Sequence, residues 1–406
     1  MDVEQAAQAR SAVSIFMRAE VLAARLEAMA RAEPEVGNLW RSELALAEAV
    51  ASAGLEGIRI SEGDLLPRIA RNGGQQADPT GAELALSLIR VLKAPGDPLK
   101  QPVPSLRRFE RAAGTGRGPG LGTQDDAEEQ PPDDAEIETL FAGLGPGDMP
   151  ILTAARAAAG YALLSRRANP IIERLVFMAV ESALRGRAMA GIETEDVLRG
   201  LSGRVDAHWV SPPALALSHQ RFLPWSPGSE TGLMDLGSGL TRVLEAELGR
   251  FALSRDWLRR GREAARGRGG RSRMADAVQA FGTAPVLSSA LLAEAIGVSI
   301  RTALTLLDEL TDLGLLREIT HRRTARIWAV PGIGARLAAR PPRRSGLQRH
   351  KVIPPVGLRD SARPRSREQR EAALQAMERA FAELDGALGR TSALLIDTKR
   401  APKGGG

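Results

Sequence analysis

Apolar residues recur three and four positions apart along most of the chain, the spacing of one helix face. Ile15, Ala19, Leu22, Leu26 and Met29 mark the first such stripe. Trp40 to Leu66 carries a second, through Leu44, Leu46, Ala47, Val50, Leu55, Ile58, Ile60 and Leu65. Ser61 followed by Asp64 predicts an N-terminal cap ahead of Leu65 and Leu66. Residues 80–93 predict a short helix starting at Thr80. The pattern breaks over 94–150, which are rich in Gly, Pro and acids, and resumes at 150–206. There Leu152, Ala155, Ala159, Leu163 and Leu164 form one face, Pro170 opens a helix through Leu184, and Thr194 caps a short one. Residues 207–232 carry four Pro and predict a long connection, before a helix over 233–258.

Residues 274–332 have a different rhythm. Met274–Phe281 predicts one helix; Ser288 caps a second through Leu291, Leu292, Ala293 and Ile296; Gly297 and Val298 turn the chain; Ser299 caps a third running to Leu313. Gly314 ends it, and Leu315–Ile319 and Ala325–Val330 alternate like the two arms of a hairpin. This order is that of a winged helix-turn-helix with a short β-hairpin wing. Ile300, Leu304, Leu307 and Leu310 are expected to face inward. That leaves Ser299, Arg301, Thr302 and Thr305 on the exposed N-terminal half of the third helix, suited to a DNA major groove. His321, Arg322, Arg323 and Arg326 fall at or near the wing tip, within reach of phosphate or a minor groove. Asp308, Glu309 and Asp312 make the C-terminal half acidic, which suits entry of the N-terminal half alone and also leaves room for a protein-docking wing.

The predicted fold class is mainly α: N-terminal helical domains plus this C-terminal module. The expected organisation is an N-terminal helical block at 1–95, an acidic, Gly/Pro-rich linker at 96–149, and a middle helical block at 150–258. A basic linker at 259–273 leads to the winged helix at 274–332, and a second basic linker covers 333–365. Residues 366–390 predict an amphipathic helix with Leu374, Met377, Phe381, Leu384 and Leu388 as a seam, ahead of a disordered tail at 391–406.

Composition supports helix over sheet. Hydrophobic residues make up 43% of the 406 but aromatic ones only 3%, so Ala and Leu dominate the stripes. Cys is absent, which excludes disulfides, Cys-based zinc sites and thiol nucleophiles. The acidic N-terminus does not read as a signal peptide, and no run of eighteen apolar residues suggests a membrane span, so a cytoplasmic location is expected. The net charge of +6 conceals an asymmetry. Residues 125–138 hold eight acids and no base, whereas 259–273 hold seven Arg against Glu263, and 340–371 hold nine Arg and Lys351 against three acids. Two basic runs bracketing the module are the electrostatic footprint of a polyanion partner, or else two solvated connections.

No catalytic constellation stands out, and neither an enzyme nor a cofactor is expected. GTGRGPG lacks the lysine and preceding strand of a phosphate loop. His208 and His219, with Asp206 and Asp235, offer a remote two-His, one-carboxylate metal site; surface histidines are the commoner meaning. Glu48 with Glu56, and Glu173 with Glu181, each place two acids on one helix face, which ordinarily is a solvated face.

Two resemblances bear on these residues. The segment from about 285 to 330 resembles the winged helix appended to Fic-type proteins, and EAVASAGLEGIRISEGDLL at 48–66 resembles their N-terminal helical EAxxSSxIEGI segment. The catalytic loop of that family begins with His-Pro-Phe and continues through Gly-Asn-Gly-Arg. None of the four His, at 208, 219, 321 and 350, stands in such a loop, so nucleotidyl transfer is not implied. Over most of its length the chain resembles an alphaproteobacterial, often plasmid-borne family, a domain of unknown function ending in a winged helix. LWRSELALAEAVASAGLEG, PTGAELAL and ERLVFMAVESALRGR carry that likeness. It implies no activity of its own but fits a replicon-associated DNA-binding protein. The winged helix is expected to bind duplex DNA, as a transcriptional regulator or replicon-maintenance factor, and a homodimer is expected because paired recognition helices double the contacts. The alternative is an assembly subunit whose winged helix docks on a protein partner, as in condensin-type accessory factors.

Overall fold

The computed structural model describes residues 3–58, 60–70, 80–114, 132–144, 149–165, 169–187, 205–218, 230–266, 268, 272–320 and 326–338, with isolated helical positions at 372, 375, 379, 382 and 386. The chain is mainly helical. Helix α1 (Val3–Ala32) stops at Glu33 because Pro34 opens α2 (Pro34–Leu55), where its missing amide costs nothing. The break lets α2 fold back closely: a Cβ on Gly37 would lie 2.8 Å from the Ala30 carbonyl oxygen. Helix α3 (Glu62–Ile69) begins with the expected capping box, Ser61 Oγ accepting from the Asp64 amide and Asp64 from the Ser61 amide. Helix α4 (Thr80–Lys93) has the expected bounds.

Two helices lie where a linker is expected. Helices α5 (Pro102–Gly114) and α6 (Asp134–Ala142) fall inside 96–149 and bury Leu106, Phe109, Ile137 and Phe141. Four large apolar side chains among many polar neighbours suffice to dock them on the core. Helices α7 (Pro150–Leu164) and α8 (Pro170–Arg187) pair closely, because α7 offers Ala154, Ala155, Ala157, Ala158 and Ala159 in place of bulk. The expected helix at Thr194 lies outside the described residues. Within the Pro-rich connection, α9 (Pro213–Ser218) is a buried turn of helix.

Helix α10 (Glu230–Arg266) runs beside α1 and past its expected end at Leu258, so residues 259–266 of the supposed basic linker are helical. There follow α11 (Met274–Thr283), β1 (Val286–Ser288), α12 (Ser289–Ile296), α13 (Ile300–Asp312), β2 (Arg317–Glu318), β3 (Ile327–Ala329) and α14 (Pro331–Ala338), the last occupying the start of the second supposed linker. The strands form one antiparallel sheet in the order β1-β3-β2, with Leu287 opposite Trp328 and Glu318 opposite Trp328 on the other side. Strand β1 has no counterpart in the sequence reading; three residues give too little alternation to detect.

The apolar core is continuous from Phe16 in α1 to Ile333 in α14, so the blocks at 1–95, 150–258 and 274–332 share one interior. No single helix among the described residues is long and apolar enough to cross a membrane. The described positions of the C-terminal helix, Ala372, Gln375, Arg379, Ala382 and Gly386, are exposed; its expected apolar seam lies outside the described residues.

Candidate nucleic-acid interface

Helices α12 and α13 are joined by three residues, Gly297 to Ser299, and the chain bends by 108° between them. Gly297 makes the bend by taking φ +66°, which side-chain-bearing residues rarely adopt, and its amide closes α12 on the Ala293 carbonyl. Ser288 and Ser299 cap the two helices as their spacing predicts, accepting from Leu291 N at 3.3 Å and Thr302 N at 3.1 Å. Gly314, at φ +67°, turns the chain out of α13. Ala303, Leu306, Leu307 and Leu310 hold α13 to the module.

Of the predicted contact residues, Ser299, Arg301, Thr302 and Thr305 are all exposed on the N-terminal half of α13, on one connected surface. Their chemistry differs. The Ser299 and Thr302 hydroxyls bond each other at 2.9 Å, and Thr305 Oγ1 donates to the Arg301 carbonyl at 3.2 Å. Arg301 makes no side-chain hydrogen bond or ion pair among the described residues. Ile300 departs from expectation: it is 55% exposed rather than inward, because the buried stripe of α13 starts at Ala303.

Arg326 is engaged within the module. It sits over the Trp328 ring, 4.6 Å from its centroid, and pairs with Glu318 at 2.8 Å and Asp308 at 3.2 Å. The hydrogen bond it donates to Glu318, ahead of other influences, holds its pKa above the ordinary value. His321, Arg322 and Arg323 lie outside the described residues. Arg268 pairs with Glu309, so two of the three acids on the C-terminal half of α13 meet a cation. Arg273 donates to the Ile296 carbonyl at the C-terminus of α12, where a cation is favoured.

The module is fastened to the rest of the chain by polar side chains. Asn38 Nδ2 of α2 donates to the Gly282 carbonyl at 3.0 Å while its Oδ1 accepts from Val205 N at 2.8 Å. Trp257 Nε1 of α10 donates to the Leu315 carbonyl at 2.6 Å, and Arg260 to that of Leu313 at 3.2 Å. Ser288 Oγ donates to the Ala70 carbonyl at 3.2 Å. Arg336 of α14 pairs with Glu43 at 3.2 Å and Glu62 at 3.0 Å.

The paired acids do not form the expected solvated faces: Glu48, Glu173 and Glu181 are buried. Glu48 accepts from Ala214 N at 2.7 Å and Leu215 N at 2.9 Å, the opening amides of α9. Burial nevertheless pushes its pKa up to about 7. Glu181 accepts from Ser211 Oγ at 2.7 Å, from Ser211 N at 3.1 Å and from Arg185 at 2.8 Å. Arg185 also reaches Glu20 and Glu27 of α1, and burial lifts Glu20 to about 7. Ser52 of α2 and Glu56 at its C-terminal cap both accept from Arg174 of α8, at 2.9 and 3.0 Å. Glu20, Glu48, Glu56 and Glu181 each meet backbone amides or a guanidinium, as pegs between helices.

For the alternative metal site, His208 is half-buried against Gly186, and its amide donates to Ser182 Oγ at 2.9 Å. Burial, then the nearby Arg41, lowers its ring pKa. His219 lies outside the described residues; among those described, no three acids or histidines are grouped to hold a metal ion. No family model matches the chain, and no curated protein matches it.

Proposed function

We propose that the protein binds duplex DNA through residues 274–332 acting as a winged helix, with the N-terminal half of α13 in the major groove. The supporting observation is the 108° bend across a three-residue turn, which presents Ser299, Arg301, Thr302 and Thr305 together on an exposed helix end. Two helices at roughly 90–120° joined by a short, Gly-containing turn are the arrangement in which a second helix can enter a groove. The neutralised Asp308 and Glu309 remove much of the repulsion that the sequence places on the C-terminal half. In the cell this is the activity of a transcriptional regulator or replicon-maintenance factor.

The rival reading, docking on a protein, draws on the groove of about 590 Å³ between α11 and α12, lined in part by Gln279, Thr283, Leu287, Leu291 and Glu294. Titration of the full-length protein into random duplex at 50 and 200 mM salt separates the two. DNA binding predicts affinity falling by at least tenfold over that range, as counterions are released by basic side chains. No binding even at the lower salt overturns the DNA reading.

A further inference from the structure

Among the described residues only four large apolar side chains are exposed: Val21, Leu253, Ile300 and Leu313. Val21 and Leu253 stand on the outer faces of α1 and α10, and Leu313 ends α13 beside Gly314. Ile300 alone falls within the surface assigned to DNA. It is the first residue of α13, flanked by Ser299 and Arg301, and 55% of it is open to solvent. An apolar side chain there contributes little to the core, which α13 reaches through Ala303, Leu306, Leu307 and Leu310.

We infer that Ile300 is a specificity-determining residue that packs against the C5-methyl group of a thymine in the major groove. The inference rests on the DNA reading above and goes further by naming the base. Thymine is the only base to present a methyl group in that groove, so an apolar side chain reads it by burying it. Three features fit Ile300 for this. It lies at the N-terminal end of the helix, where side chains reach base edges. Its branched Cβ restricts χ1, so its methyl groups are held in a fixed direction. The neighbouring hydroxyls of Ser299, Thr302 and Thr305 are turned to one another or to backbone, leaving Ile300 and Arg301 as the two uncommitted side chains at this end. Arg301 then supplies the polar contact, to a guanine edge or a phosphate, and Ile300 the apolar one.

The test uses the full-length protein and a preferred duplex obtained by selection from a random library. Each thymine is replaced singly by deoxyuridine, which removes only the methyl group. At one or two positions the replacement should weaken the wild type about fourfold, the worth of burying one such group. Ile300→Ala should bind the thymine duplex more weakly and show no further loss with uracil, while its thermal transition stays unchanged. Ile300→Val and Arg301→Ala should keep the methyl dependence. Sequence-selective binding that is indifferent to uracil at every position overturns the thymine contact and leaves the DNA reading standing. So does an Ile300→Ala variant that retains the full uracil effect, or binding with no sequence preference. Failure to bind any duplex at low salt overturns the DNA reading itself.

Discussion

At the scale of single residues, two glycines of α10 make opposite demands. A Cβ on Gly239 would lie 2.5 Å from the Ala216 carbonyl oxygen and 2.9 Å from its carbon, both backbone atoms of α9 that cannot swing aside. Gly249, ten residues on, has open space around it. Gly239→Ala should therefore cost about 1–3 kcal/mol by overpacking, and Gly249→Ala should gain roughly 0.5–1 kcal/mol from reduced chain entropy. Denaturant melts of both variants check the pair; a neutral Gly239→Ala would mean α9 does not sit where described. Local signals of this kind were readable in advance at Ser61, Ser288, Ser299, Gly297 and Gly314, because a cap or a left-handed turn is decided within four residues. The buried acids were not. Nothing near Glu48 in sequence announces that its partners are the amides of Ala214 and Leu215, and a carboxylate's burial is set by those distant donors. Ile300 failed for a different reason: helical spacing counted back from Leu304 makes it inward, yet the helix starts just there, with no preceding turn to cover it.

At the scale of elements, α10 joins what the sequence divides. Its expected end at Leu258 came from the dense arginines beyond, which are as compatible with an exposed helix face as with a linker. Arg259 in fact bonds Asp256 and Glu263 along the helix. Just ahead of the extra turns stands Trp257, whose ring is buried and whose indole nitrogen bonds the Leu315 carbonyl. Trp257→Ala should cost about 3–5 kcal/mol and leave that carbonyl without its partner. Hydrogen exchange should then quicken over 286–330 more than in α7 and α8. Unchanged exchange there would show that the module stands without its support. Helices α5 and α6 were missed because their few anchors, Phe109 and Phe141 among them, are diluted by Gly, Pro and acids that dominate the local composition.

At the scale of the whole molecule, the helical class was legible from Ala and Leu stripes, whereas the shared interior was not, since separate amphipathic segments do not declare which faces meet. The proposed function carries a homodimer with it: one recognition helix contacts few base pairs, and two-fold symmetry doubles the contacts. Mass measurement at micromolar concentration should give a dimer, and a monomer would reject it. Asn38, Trp257, Ser288 and Arg336 clasp the module to the rest of the chain. Two such modules in a dimer would be held like the points of fixed dividers, and the interval between operator half-sites would be dictated by the protein. Inserting five base pairs between half-sites turns one of them about half a revolution away. Inserting ten restores its facing but moves it roughly 34 Å along the axis. A body that cannot stretch loses binding to both insertions, whereas a tethered module would recover with the second.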